Sequence, residues 1–285
     1  MYMQLSHSDK VGLLVLAIGA AALAACPLGG VSGCKLVSAI GGEAAYMVIG
    51  LLVYVVLSGV LGIRLVSGLA LGAALGVFLK VYINLPRPPR SEWLVHVSGP
   101  GFPSGHALMS SLFWGIVVAE TLSPLALLGG ALAVTAVSCS RLVLHVHYPR
   151  DVVGGAIIGA VLAALYLVLR RRYSTLRASA IMIASAAPLA LLALAKSPSY
   201  DSAQHVLGLV LGLAAGLALL ATPRGKQSLV EKLGALELFI AFLWSGIGLA
   251  AAMVTHSSSL SIIGFAVFAF LAATSRPLAL LLRRR

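Results

Sequence analysis

Charge is what this sequence has least of. Of 285 residues only 10% are charged, while 60% are hydrophobic; a soluble domain carries about 25% charged residues. A water-facing surface cannot be built from so little charge, so the chain reads as an integral membrane protein. Acidic residues are the scarcest charged class, eight against twenty Lys and Arg, which leaves a net charge of +12. The cations sit at the ends of apolar runs, with no patch interleaved with aromatics. That distribution excludes nucleic acid as a partner. Cysteine is also scarce. Cys26, Cys34 and Cys139 have no C-x-x-C spacing, so no zinc site is expected. No metal and no cofactor are expected at all, since no carboxylate-rich or His/Cys cluster accompanies the chemistry described below.

What the chain has in abundance is apolar runs. Crossing about 30 Å of hydrocarbon takes about 20 residues of helix, and about ten runs qualify: 11–26, 44–63, 66–85, 105–122, 125–144, 151–169, 178–195, 203–221, 233–254 and 259–275. The expected fold is therefore all-α, a polytopic transmembrane helical bundle. Between the first two runs, Pro27 to Glu43 reads as a loop or a partly re-entrant stretch. Leu23-Ala24-Ala25-Cys26 resembles a lipoprotein processing box, but the segment reads equally well as a first span. Cys26 and Cys34 fall at or in this first outer loop, and the sequence leaves open whether they are bridged. With the N-terminus inside, thirteen of the twenty cations lie on the cytoplasmic side. The positive-inside rule then puts both termini in the cytoplasm of a multi-pass cell-membrane protein.

Three short blocks gather the polar residues that chemistry needs. The first is Lys80, six residues, then Arg87-Pro88. The second is Pro103-Ser104-Gly105-His106. The third is Ser140-Arg141, five residues, His147, three residues, Asp151. Lys80 and Arg87 are seven apart, two helical turns, and so share a face. Arg suits bidentate contact with phosphate oxygens, and Lys acts as a point charge. Gly105 and His106 open a span, where free N–H groups and the positive end of the helix dipole favour an anion. His147 and Asp151 are four apart, so the carboxylate can hold one imidazole nitrogen and leave the other to attack phosphorus. His145 satisfies neither gap of the third block and reads as structural or supporting. All three blocks emerge on the extracytoplasmic face.

The three blocks, in this order, resemble the signature motifs of the phosphatidic acid phosphatase type 2 (PAP2) superfamily. That superfamily includes lipid phosphatases, glucose-6-phosphatases and vanadium haloperoxidases. The resemblance covers roughly residues 44–172. It implies a six-helix phosphatase core within 1–172, followed by four additional helices of unknown role in 173–285. It also implies roles: His147 as the nucleophile that forms a phosphohistidine, Asp151 as its partner, and His106 as the acid that protonates the leaving oxygen. Lys80, Arg87, Ser104, Gly105 and Arg141 would hold the phosphate.

The expected activity is a metal-independent lipid phosphatase or diphosphatase, with a polyprenyl diphosphate carrier favoured as substrate. The alternatives are phosphatidic acid and phosphatidylglycerol phosphate. A reading of another class, a transporter or lipid-binding protein, lacks the inverted repeat with paired broken helices. Arg276-Pro277 echoes Arg87-Pro88, but Ala269 stands where a lysine would complete the block. Oligomeric state is not legible in the sequence.

Overall fold

The first apolar run continues well past its expected end. In the computed structural model, which describes residues 6–254 and 258–283, helix α1 spans His7–Ile40 and starts with a capping box between Ser6 and Asp9. Gly30 interrupts it with φ of 55°, a conformation that glycine adopts at little cost. An unbroken helix would hold Cα atoms eight residues apart at about 12 Å; those of Cys26 and Cys34 are 4.4 Å apart and the two cysteines form a disulfide. α1 is therefore a helical hairpin that turns at Gly30 and is tied across its arms. The stretch from Pro27 to Ile40, expected to be a loop or partly re-entrant, is helical and folds back.

The remaining helices are α2 (Glu43–Leu52), α3 (Gly59–Ile83), α4 (Gly105–Thr121), α5 (Pro124–Val143), α6 (Pro149–Arg172), α7 (Thr175–Lys196), α8 (Asp201–Leu220), α9 (Pro223–Val230), α10 (Ala235–Val254) and α11 (Ser258–Arg283). No strand occurs among the described residues. The all-α bundle of membrane-spanning length is thus as expected. Seven of the described helices are long and apolar enough to cross a membrane: Ser8–Ile40, α3, α5, α6, α7, α8 and Leu260–Leu281. Two expected runs come out shorter. The run 44–63 is divided, because a π turn at Val53–Leu57 is followed by extended Ser58 before α3 begins. α4 has 17 residues, while α10 runs over 20, Ala235–Val254, close to the length expected. Arg284 and Arg285, counted among the cytoplasmic cations, lie outside the described residues.

The chain packs as two units: Met1–Tyr46 with Ile83–Val168, and Met47–Tyr82 with Leu169–Arg285. In the first, α1 runs alongside α5, with Gly12 against Ser123 and Leu125, and Gly19 against Gly129. α4 and α6 are drawn equally close by a pair of glycines one turn apart. Gly155 lies against the Ser104 carbonyl and Gly159 against the Leu108 carbonyl, where side chains would collide with main chain. Small residues at this spacing are how membrane helices reach contact. At the far end of the pair the Tyr166 hydroxyl donates to Glu120.

In the second unit, Gly208, Gly212 and Gly216 of α8 carry the same spacing and meet Ile262, Ala266 and Ala273 of α11. Pro277 interrupts the hydrogen-bond ladder of α11, leaving the Ala273 carbonyl without its usual donor. The Tyr54 hydroxyl supplies one at 2.6 Å. Arg276 is 3% exposed. It donates to the carbonyls of Tyr54 (3.0 Å) and Val55 (2.8 Å) in the π turn, and to those of Ser228 (2.8 Å) and Glu231 at the end of α9. Two helix C-termini, each carrying unpaired carbonyls and a partial negative charge, are thereby closed by one guanidinium.

Candidate active site

The third block is shaped by how α5 ends. Leu144 is its C-cap, and His145 follows with φ of 54°. The His145 N–H donates to the Leu142 carbonyl at 3.0 Å and the Val146 N–H to the Arg141 carbonyl at 3.3 Å. This pair of bonds is the Schellman closure, in which one residue takes the left-handed conformation. His145 is that residue, and its side chain is exposed. Val146 turns inward with Leu144 and Val137, and His147 is buried. The two histidines, two residues apart, are thus separated by the backbone itself.

His147 Nδ1 lies 3.4 Å from Asp151 Oδ2, and the same oxygen accepts the Tyr148 N–H at 2.9 Å. Asp151 is fully buried in the first turn of α6. A proton on Nδ1 facing the carboxylate leaves Nε2 as the acceptor. Arg87 Nη1 stands 3.0 Å from that nitrogen. Within its own loop Arg87 donates from Nε to the Gly99 carbonyl (2.8 Å) and from Nη2 to the Ser98 carbonyl (3.1 Å), and Nη1 also donates to the carbonyl of Val146 (2.8 Å), the residue before His147. This loop is pinned further by Trp93 Nε1, which donates to the Pro88 carbonyl at 2.9 Å, and by the Leu94 N–H on the Leu144 carbonyl.

The second block opens α4. Phe102–Pro103 is a cis peptide, and Ser104 is the N-cap, its own N–H bonded to the Asp151 carbonyl at 2.9 Å. Serine at this position ordinarily turns its hydroxyl onto the first-turn N–H groups. Ser104 makes no such bond, and its buried Oγ has no hydrogen-bond partner. Arg141 is also buried, and its Nε lacks a partner, although Nη1 donates to Ser38. Buried donors are nearly always satisfied in folded proteins. Two orphans beside an uncapped helix N-terminus describe a place built for an acceptor-rich ligand. His106 is half-buried in the first turn of α4, its Nε2 close to Gly42.

The structure thus brings together Arg87, Ser104, Gly105, His106, Arg141, His147 and Asp151. Lys80 is buried in the last turn of α3 and is counted with the second unit. The α1 hairpin and the start of α2 add residues that sequence reasoning missed. Ser38 accepts from Arg141. The Glu43 carboxylate packs directly on Gly105, and its charge bears on Arg141. The available signal was a carboxylate opening an apolar run behind Gly41-Gly42, since ionisable groups at such positions have functional roles by default. Among the described residues no group of three or more His, Cys, Asp or Glu has the arrangement to hold a metal ion.

With this geometry in hand, the chain can be set against known proteins. Residues 61–174 match the PAP2 superfamily. All three blocks fall inside that segment, so the resemblance carried by their spacing extends over the helices that hold them. Two curated relatives illustrate the likeness. One, the "decaprenylphosphoryl-5-phosphoribose phosphatase" of Mycolicibacterium smegmatis, is 38% identical over 92 residues, covering 31% of this chain and 49% of the relative. The other, an "uncharacterized 22.5 kDa protein in cps region" of Klebsiella pneumoniae, is 36% identical over 76 residues, covering 24% of this chain and 36% of the relative. The chain thus spans half or less of the length of these relatives. No solved structure matches it.

Proposed function

We propose that the protein is a membrane phosphatase acting on a lipid phosphate, a polyprenyl diphosphate in the first instance, at the extracytoplasmic surface. The observation that carries this reading is the pair of unsatisfied buried donors, Ser104 Oγ and Arg141 Nε, beside the His147–Asp151 pair. Phosphoryl transfer depends on positioning and on neutralising charge over the transferred oxygens. Ser104, Arg141, Arg87 and the first-turn N–H groups of α4 at Gly105 hold those oxygens, with Lys80 assigned to the same task by the motif resemblance alone. His147 Nε2 attacks phosphorus in line with the leaving oxygen, and Asp151 stabilises the positive imidazole as the N–P bond forms. The P–O bond to the leaving group breaks, and His106 gives its proton to the departing oxygen. Neutral His106 then takes a proton from water, which attacks the phosphohistidine and releases inorganic phosphate. No step calls for a metal, because Lys80, Arg87 and Arg141 already carry three positive charges.

The polyprenyl diphosphate is favoured because three cations and a helix N-terminus suit an anion with more than one negative charge. The relative from Mycolicibacterium smegmatis, by its name a decaprenylphosphoryl-5-phosphoribose phosphatase, lends support to a polyprenyl-linked substrate. Phosphatidic acid and phosphatidylglycerol phosphate are the competing substrates. The test is kcat/KM in detergent for a polyprenyl diphosphate, phosphatidic acid and a soluble sugar phosphate. The first is expected to lead. A lead for phosphatidic acid would overturn the carrier assignment alone, a lead for the sugar phosphate would overturn the lipid reading, and no phosphate release from any of them would sink the phosphatase itself.

A further inference from the structure

A cavity in the second unit is lined by none of the site residues described above. It measures about 830 Å³, within the range of about 300–1,000 Å³ typical of ligand sites. One wall is Ala180, Ala184 and Ala187 of α7, which share a helical face; another is Ala214 and Ala218 of α8 with Ala221, its C-cap. Alanine faces set against each other ordinarily let membrane helices close to contact. Here they border open space instead. At one end the lining changes character, to Ser174 and Thr175 at the start of α7, Arg177, and Lys226 of α9. Among the described residues no carboxylate lines the cavity, and both cations are exposed.

The dimensions fit one leaflet. From Thr175 to Ala187 the helix rises about 18 Å, close to the half-thickness of a bilayer's hydrocarbon, about 15 Å. The polar end adjoins Arg170-Arg171-Arg172 at the close of α6, an arginine run of the kind that marks the anionic cytoplasmic leaflet. A soluble anion would answer the two cations and leave the apolar shaft unfilled. A zwitterionic lipid would fill the shaft and leave the net charge at the mouth unbalanced.

We propose that the second unit binds one anionic phospholipid, its headgroup phosphate between Arg177 and Lys226 and acyl chain in the alanine-lined cavity. The occupant is held by charge at the mouth and by apolar contact along the shaft, and no bond is made or broken. This assigns the C-terminal helices a lipid site separate from the phosphatase residues, and it stands whether or not the phosphatase reading does.

The experiment uses the full chain in detergent, exposed to equal amounts of phosphatidylglycerol and phosphatidylcholine and examined by native mass spectrometry. One phosphatidylglycerol per chain is expected to be retained, favoured by about tenfold, the effect of a charge-assisted contact. Arg177→Ala with Lys226→Ala should remove the preference. Ala184→Phe with Ala218→Phe should remove retention by filling the shaft. If the filled variant does not fold, the mouth variant decides, because its two side chains are exposed. Phosphatidylglycerol should also raise the melting temperature of the wild type and not of the mouth variant. Equal retention of the two lipids, or an undiminished preference in the mouth variant, would overturn the proposal. So would displacement of the lipid by inorganic phosphate, which would make the site one for a free anion.

Discussion

The chain contains two Arg-Pro pairs, Arg87-Pro88 and Arg276-Pro277, and they are put to opposite use. Both guanidiniums give most of their donors to main-chain carbonyls. Arg276 gives all of its described hydrogen bonds that way, to Tyr54, Val55, Ser228 and Glu231. Arg87 is half-buried in a loop and directs one nitrogen at His147 Nε2, 3.0 Å away. The prolines differ too. Pro277 sits inside α11 and orphans a carbonyl that Tyr54 must satisfy, whereas Pro88 is in a loop, and its carbonyl accepts from Trp93. The dipeptide therefore says little by itself. What separates a ligand-facing arginine from a structural one is whether an imidazole, or a run of spare carbonyls, stands in front of it.

The largest expected effect tests the imidazole. His147→Ala should lower phosphate release by at least about 10⁴-fold, as removal of a nucleophile does. His145→Gly should leave turnover within a few-fold of wild type, since the left-handed residue of a Schellman closure is best served by glycine. An inactive His145→Gly beside an active His147→Ala would show the third block to be out of register. The next largest effect falls on the arginine itself. Arg87→Lys keeps the charge and loses the fork, and kcat/KM should drop by about 10²-fold. A steady-state comparison with a matched thermal melt checks it; an unchanged kcat/KM would make Arg87 as structural as Arg276.

These contrasts mark how much was legible beforehand. The site's inner pieces were readable because each is local. His147 and Asp151 are one helical turn apart, and Ser104 and Gly105 open the helix that carries them. The second and third blocks meet because Gly155 and Gly159 let α6 touch α4, and residue spacing on a single helix does not reveal its partner. Ser38 and Glu43 were missed for the same reason. They reach Arg141 and Gly105 only because the chain reverses at Gly30, and a glycine among apolar residues reads as an ordinary member of a membrane helix. The run 44–63 reads as a single span because hydropathy continues across Ser58, where the helix is interrupted. Arg276 looked like a broken echo of a catalytic block because its acceptors lie more than 200 residues away at Tyr54 and Val55.

Arg276→Met should act on stability and leave the chemistry alone. Four carbonyls that accept from the guanidinium would lose their donor, at a cost of about 2–4 kcal/mol. The unfolding midpoint in detergent should fall accordingly, while the folded fraction retains its kcat/KM. A variant of normal stability would show that water or lipid satisfies those carbonyls equally well. A loss of kcat/KM at full stability would erase the distinction between the two arginines.

The smallest effect is also the sharpest probe of the structural pair. Tyr54→Phe removes one hydroxyl, and the Ala273 carbonyl then has neither a side-chain donor nor, because residue 277 is proline, a main-chain one. The expected loss is about 1 kcal/mol. Pro277→Ala restores an N–H at the position that ordinarily bonds to Ala273, so the Tyr54 hydroxyl becomes redundant. In that background Tyr54→Phe should cost markedly less, giving a coupling of about 0.5–1 kcal/mol in a double-mutant cycle. Additive losses would mean that the hydroxyl does not serve the carbonyl freed by proline. A coupling of the opposite sign would mean that the kink at Pro277 is what holds Tyr54 in place, and that the arginine next to it depends on the bend rather than on the donors it supplies.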